Sequence, residues 1–243
     1  MQTTRILAAT LAGALTLAAC GGAGSGPTTT DTARSPGTTV SLETVPSDYV
    51  GYLHQPTACG ATQPEPAVEM KFDAPGDAGI TGPTVVTLHT SCGTIEIQLD
   101  PAAAPETVNS FVFLAEAGFF DGTVAHRVVP GFMVQVGDPT ATGMGGPGYS
   151  IPDEFPAPGT SYVRGVVAMA NAGAGTTGSQ FFIMLADADW LPPQYTIFGY
   201  VTSGIETLDL IAAVPLGRNP NSPDPNASTP LESIYIESVT VER

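Results

Sequence analysis

From Pro83 onward, apolar and polar residues alternate in a readable way. Val86 and Leu88, then Ile95, Ile97 and Leu99, are separated by polar residues on either side of Ser91-Cys92-Gly93. A period of two puts successive side chains on opposite faces, so this stretch predicts a β-hairpin with one buried face and its turn at 91–93. The period then lengthens. Val108, Phe111, Val112 and Ala115 recur at helical spacing, Pro105 suits a first helical turn and Gly118 a helix end, which predicts a helix between them. Short apolar runs follow at 125–129, 132–136, 165–170, 181–185, 196–201 and 234–241, parted by Gly and Pro, and each has the length of a strand. A second short helix is predicted over about 205–213. Many short strands with only two helices predict a mainly β fold, a closed β-barrel with the helices over its ends.

The first 82 residues lack this pattern. Residues 1–19 carry Arg5 and then an apolar run from Ile6 to Leu17. That run is shorter than the roughly 20 apolar residues of a membrane-spanning helix and has the layout of a secretory signal peptide. Leu17-Ala18-Ala19-Cys20-Gly21 resembles the lipobox of bacterial lipoproteins. The resemblance implies an extracytoplasmic lipoprotein, anchored to the bacterial cell membrane by acyl chains such as palmitate on Cys20; the alternative is an ordinary cleaved signal with an incidental cysteine. Residues 20–46 are rich in Gly, Ser, Thr and Pro with few large apolar groups, too little to bury, and read as a flexible tether. Residues 47–82 scatter Tyr49, Tyr52, Leu53, Met70 and Phe72 among prolines and glycines, and read as an irregular arm packed on a globular domain spanning 83–243.

Charge and cysteines narrow the partners. The 243 residues include 7 basic and 23 acidic side chains, for a net charge of -16, and cleavage after residue 19 removes one further positive charge. Such a chain offers no positive face to nucleic acid or to an anionic membrane surface, so a lipid rather than electrostatics would hold it to a bilayer. Of the three cysteines, Cys20 is assigned to the lipid. Cys59 and Cys92 remain, and an oxidising compartment would join them; two unrelated buried thiols are the other reading.

The catalytic vocabulary is thin. There is no Gly-x-Ser-x-Gly elbow and no His-Glu-x-x-His, and the three histidines, His54, His89 and His126, lie far apart; neither a metal nor a cofactor is expected. The run Gly143–Gly148 lacks the Lys-Ser/Thr and the following helix of a phosphate loop, and reads as a mobile turn near a cleft. What stands out is a basic residue in an apolar stretch. Arg127, among Val128, Val129 and Val134, must either pair with a carboxylate or face a cleft.

The stretch His126-Arg127-Val128-Val129-Pro130-Gly131-Phe132-Met133-Val134-Gln135-Val136-Gly137-Asp138 closely resembles the cyclophilin signature. So do Val167–Asn171, Gly178–Ile183, Trp190-Leu191 and Phe198-Gly199, in the same order and spacing, and Asn109–Phe111 with Ile151–Phe155 extend the likeness over about 83–243. The resemblance implies a closed antiparallel eight-stranded β-barrel capped by two α-helices. It also implies a peptidyl-prolyl cis/trans isomerase, here one assisting the folding of exported or envelope proteins. Arg127, Phe132 and Gln135 would be catalytic. Met133, Phe182, Leu191 and Tyr195 would complete a pocket with Phe132 for the proline ring, Trp190 would line its rim, and His126, Ala170, Asn171 and Gln180 would contribute to peptide binding. Proline-containing segments are the expected partners, with cyclosporin as a further ligand and a monomer as the expected state. A non-enzymatic cyclophilin-like chaperone or binding module is the alternative. The chain departs from the pattern at Tyr195, where many members have histidine, at Ala125, and at Ala174-Gly175.

Overall fold

The computed structural model describes residues 45–222 and 224–243. The expected signal peptide, Cys20 and the tether up to residue 44 lie outside the described residues. The hairpin forms as the alternation requires: β1 (Val85–Thr90) pairs with β2 (Gly93–Leu99), Val86 opposite Ile97 and Leu88 opposite Ile95, all four buried.

A one-turn helix, α1 (Tyr49–Tyr52), precedes them, and α2 (Pro105–Glu116) follows, starting on the proline and burying Val108, Phe111, Val112 and Ala115. Its N-cap residue, Ala104, offers no capping side chain. Glu154 supplies the cap from a distance, its carboxylate accepting from the backbone N–H of Glu106 (3.0 Å) and Thr107 (2.9 Å) and from the Thr107 hydroxyl (2.7 Å). Two orphan donors and the positive end of the helix dipole are satisfied together.

The remaining elements are β3 (Arg127–Val129), β4 (Met133–Val136), β5 (Val166–Met169), β6 (Phe181–Met184), β7 (Ile197–Ser203), α3 (Ile205–Ala212), β8 (Leu216–Gly217), β9 (Thr229–Pro230) and β10 (Ile236–Glu242). Eight strands make one antiparallel sheet in the order β10-β1-β2-β7-β5-β6-β4-β3, and β8 pairs with β9 apart from it. The expected barrel is not closed. β10 and β3, at the two ends, share no ladder; among the described residues the gap is crossed by a single bridge between Val124 and Tyr235 and by isolated bonds such as Ala125 N–H to the Ile234 carbonyl, 2.9 Å. The free edge of β3 is already occupied, because the Val128 N–H donates to the Ser228 carbonyl at 2.7 Å. A curled half-barrel results, and the predicted strand at 125–129 begins as a ladder only at Arg127.

β5 and β6 are buried along their whole length, which explains why they read as apolar runs rather than alternations. Their inward residues, Val167, Met169, Phe181 and Ile183, join the main core with Val128, Val134 and Phe198. There Phe111 stacks on Phe120 (ring centroids 5.0 Å apart) and meets Phe181 (5.2 Å) and Phe198 (5.0 Å). Their outward residues, Ala168, Phe182 and Met184, belong to a second apolar cluster on the other face.

The arm is tied down at several points. The Tyr49 hydroxyl donates to the Gly122 carbonyl at 2.8 Å, Ala58 N–H to Ser233 carbonyl at 2.9 Å, and Ala78 N–H to the Asn109 side chain at 2.8 Å. Pro46, assigned by its composition to the tether, is buried, and its carbonyl accepts from Asn219. Cys59 and Cys92 form a disulfide, joining the arm to the β1–β2 turn across 33 residues of sequence. A loop of that length stabilises by about 3 to 4 kcal/mol through the entropy it removes from the unfolded chain.

Candidate active site

The second apolar cluster is the floor of the site. Register places Arg127 opposite Gln135, Gln135 opposite Phe182, Phe182 opposite Ala168 and Ala168 opposite Ile197, in one row across β3, β4, β6, β5 and β7. Residues paired across a sheet share a face, so the arginine, the glutamine and the phenylalanine stand side by side. One register step away, Val129 lies opposite Met133 and Met133 opposite Met184. Met133, Phe182 and Leu191 are buried in this cluster with Phe132, Ala170 and Tyr195 at its margin. All five residues assigned to a proline pocket therefore meet in one place.

The rings define its walls. Phe132 and Trp190 have centroids 4.8 Å apart, and Phe182 and Tyr195 are edge to face at 5.6 Å. Trp190 is 68% exposed, as an aromatic at a rim would be. Tyr195 is held by a residue the sequence did not single out: the Tyr162 hydroxyl donates to the Tyr195 carbonyl (2.8 Å) and accepts from its N–H (3.1 Å), while the Tyr162 ring is fully buried.

Beside the floor runs a groove of about 480 Å³, lined by Gln135, Ala170, Asn171, Gln180, the 143–148 loop and Lys71 of the arm. Gln135 Nε2 donates to Gln180 Oε1 at 2.9 Å, and Gln180 Nε2 donates to the Gly145 carbonyl at 2.9 Å. Asn171 turns to the loop between β6 and β7, donating to the Gln194 carbonyl at 2.9 Å. Of these residues, Gln135 is hydrogen-bonded to Arg127, whereas the hydrogen bonds of Gln180 run to Gln135 and Gly145 and that of the Asn171 amide nitrogen to Gln194.

In the glycine-rich loop the amides of Gly143 and Gly145 are already taken by a carboxylate of the chain. The Asp138 carboxylate accepts from the backbone N–H of Thr140 (2.7 Å), Gly143 (2.7 Å) and Gly145 (3.1 Å), so an anion of the chain itself occupies the nest. Gly137, where β4 ends, has φ of 86° and brings its backbone against Ser179, whose carbonyl a Cβ would strike. Only glycine allows this approach of β4 to the chain entering β6.

Of the two options the sequence offers Arg127, a carboxylate or a cleft, the structure supplies the carboxylate. Nε donates to Asp224 Oδ2 (2.7 Å), Nη2 to Asp224 Oδ1 (2.6 Å) and Nη1 to Gln135 Oε1 (3.2 Å), while the side chain keeps 28% of its surface exposed. Pairing with Arg127 holds the Asp224 carboxyl below the usual carboxylate range.

His126 sits next in the chain but outside this network. Both ring nitrogens are shielded from solvent and have no hydrogen-bond partner. Burial lowers its pKa to about 4, against an opposing pull from Asp138 and with a smaller contribution from Arg127. The unfolded chain, with a histidine pKa of about 6.5, binds this proton more readily than the folded one. Stability is therefore full above pH 6.5 and falls as pH drops toward 4, at up to about 1.4 kcal/mol per pH unit. Urea denaturation of His126→Gln across this range is expected to show a shallower loss than the wild type; parallel curves would mean that His126 does not titrate differently in the two states.

Residues 85–241 match the family model described as cyclophilin type peptidyl-prolyl cis-trans isomerase/CLD. A peptidyl-prolyl cis-trans isomerase B from Streptomyces anulatus is 45% identical over 155 residues, covering 56% of this chain and 88% of that protein. A peptidyl-prolyl cis-trans isomerase-like 1 from Gibberella zeae is 44% identical over 138 residues, covering 55% and 85%. Among solved structures, a Cryptosporidium parvum cyclophilin type peptidyl-prolyl cis-trans isomerase superposes with a TM-score of 0.60 at 29% identity, covering 67% of this chain and 99% of that one; the same protein studied in the presence of the dipeptide Ala-Pro gives 0.59 at 31%, covering 65% and 99%. Since the matched residues make up well over half of the chain, it belongs to the cyclophilin-type peptidyl-prolyl cis/trans isomerases.

Proposed function

We propose that this isomerase works through Arg127 as a ligand of the twisted X-Pro amide, on proline-containing segments of exported or cell-envelope proteins. The observation that carries the reading is the row Arg127, Gln135, Phe182 on three neighbouring strands, with the apolar pocket beside it. Rotation about an X-Pro bond must break amide resonance, a barrier of about 18 to 20 kcal/mol, and uncatalysed exchange takes tens to hundreds of seconds. No bond is made or cut, so neither nucleophile nor base is needed. What is needed is tighter binding of the twisted state than of either planar one.

In the twisted state the prolyl nitrogen regains a lone pair and ceases to be a conjugated amide. A fixed cationic donor favours that state through electrostatic preorganisation. Arginine is a donor-only cation suited to this. Phe132, Met133, Phe182, Leu191 and Tyr195 hold the proline ring, Trp190 edges it, and the groove along Gln180, Ala170 and Asn171 takes the flanking peptide. His126, whose ring nitrogens are buried and without a hydrogen-bond partner, is assigned no bond to the peptide. Cyclosporin contacts depend on the same rim, where Tyr195 stands. The binding-module alternative loses ground because the relatives matched are isomerases.

The lipobox-like sequence at Cys20 supports a tether outside the cytoplasmic membrane, with the segment after Cys20 as the leash of a monomeric enzyme. Mass spectrometry of the mature protein from its native membrane is expected to find a diacylglyceryl or acyl modification on Cys20. A mature chain beginning elsewhere, without lipid, would remove the anchor. A prolyl-isomerisation assay on the same material is expected to show exchange far faster than the uncatalysed rate.

A further inference from the structure

Arg127 receives its carboxylate from 97 residues further along the chain. Residues 218–222 and 224–228 lie between the two strands of the β8–β9 pair, and their end is docked on β3 through the Val128–Ser228 bond. Among them Asp224 is fixed: its N–H donates to Ser222 Oγ at 3.2 Å, Ser222 Oγ donates to Asp224 Oδ2 at 3.4 Å, and the hydroxyls of Ser222 and Ser228 lie 3.5 Å apart. Its side chain is only 13% exposed. In sequence the loop reads Asn219-Pro220-Asn221-Ser222-Pro223-Asp224-Pro225-Asn226, and prolines limit the conformations it could otherwise sample.

The contact has a definite geometry. A guanidinium has five N–H groups in a rigid plane. The carboxylate takes two of them along the Nε–Nη2 edge as a bidentate fork, and Gln135 takes one on Nη1. One N–H on each terminal nitrogen remains. Because arginine only donates, Gln135 must turn its oxygen to it, which turns the Gln135 nitrogen to Gln180 and the Gln180 nitrogen to the Gly145 carbonyl. The Asp224 fork thus fixes the orientation of the guanidinium that heads this chain, whose polarity follows from its being a donor only. Without it, a long side chain on the three-residue strand at the open end of the sheet would keep its rotamer freedom, about 2 kcal/mol for arginine.

We propose that Asp224 is a positioning residue for the isomerisation: it locks the plane of Arg127 so that the two remaining terminal N–H groups are held for the prolyl amide. The proposal rests on Arg127 being the catalytic donor. A carboxylate this close also weakens the field of the cation, and the gain in orientation must exceed that loss; the two effects have opposite signs in a rate.

The test is a double-mutant cycle on the full chain with Asp224→Asn, Arg127→Ala and both together, reading kcat and KM by protease-free NMR exchange on a proline-containing peptide. Asp224→Asn is expected to lower kcat roughly tenfold or more with KM little changed, and to cost nothing further when Arg127 is already alanine. In the folded Asp224→Asn variant the Arg127 Nε–H is expected to exchange with solvent faster than in the wild type, as the plane of the guanidinium is released; a lowered kcat with unchanged exchange would overturn the proposal. A kcat equal to or above wild type would overturn the proposal by making the carboxylate idle or a brake. An equal loss in the Arg127→Ala background would overturn it while leaving Arg127 as the donor. Arg127→Ala as active as wild type would instead remove the reading on which the proposal rests.

Discussion

Replacing Arg127 with lysine is expected to lower kcat/KM toward a proline-containing peptide by about 100- to 1,000-fold and to leave the fold in place, the size of effect seen when one preorganised donor to a transition state is removed. Charge is conserved in this substitution, so the loss isolates geometry. A lysine ammonium is a point charge on a flexible stem and cannot hold a carboxylate fork, an amide oxygen and a substrate amide at once. Arg127 meets the first two requirements, with bonds of 2.6, 2.7 and 3.2 Å to Asp224 and Gln135. The stability cost is modest because an ammonium still compensates the Asp224 carboxylate, and because an ion pair with partly exposed partners is screened by solvent. Arg127→Ala, by contrast, leaves that carboxylate without its cation. Kinetics near the wild-type value in the lysine variant would show that a nearby positive charge is enough.

Phe111→Ala has the largest expected effect on stability. The ring is 2% exposed and lies within 5.2 Å, centroid to centroid, of Phe120, Phe181 and Phe198, each fully buried. Truncation removes a large apolar surface from a site bounded by rigid rings, which can relax only partly into the cavity. The expected loss is about 3 to 5 kcal/mol, which lowers Tm by roughly 10 °C in a domain of this size. Phe181 precedes Phe182 on β6, so the same cavity loosens the strand that floors the site. Calorimetry is expected to show the fall in Tm. A change of under about 1 kcal/mol would mean that the core collapses around the gap.

These two residues also mark what could be read from the sequence. Phe111 belongs to the helical spacing of α2, and the β1–β2 hairpin follows from a period of two; both signals are local and need no knowledge of partners. β5 and β6 were visible as apolar runs because each faces one cluster inward and another outward. Closure was not legible. Whether β10 meets β3 depends on edges far apart in sequence, and a loop carbonyl at Ser228 had already taken the edge of β3.

The site divides in the same way. Arg127, Gln135 and Phe182 were placed by family resemblance, and their alignment in one row follows from strand register. Asp224 and Tyr162 were not found. Asp224 lies in a proline-rich stretch with no periodicity, and the only clue was the general demand that a half-buried arginine find an anion. Tyr162 sits in a loop between strands, and its role depends on a backbone, that of Tyr195, 33 residues away. Both act through contacts that only the folded chain creates.

The most direct test of Arg127 as a transition-state ligand measures binding and exchange on one sample. NMR titration of a proline-containing peptide into wild-type and Arg127→Lys protein yields Kd for the cis and trans forms, and line-shape analysis yields their interconversion rate on the enzyme. The account predicts that both Kd values stay within about twofold while the on-enzyme rate falls by roughly 100-fold or more, the mark of an interaction present only in the twisted state. A rate preserved on the enzyme, with affinity lost for both planar forms, would contradict it and make Arg127 a ground-state binding residue.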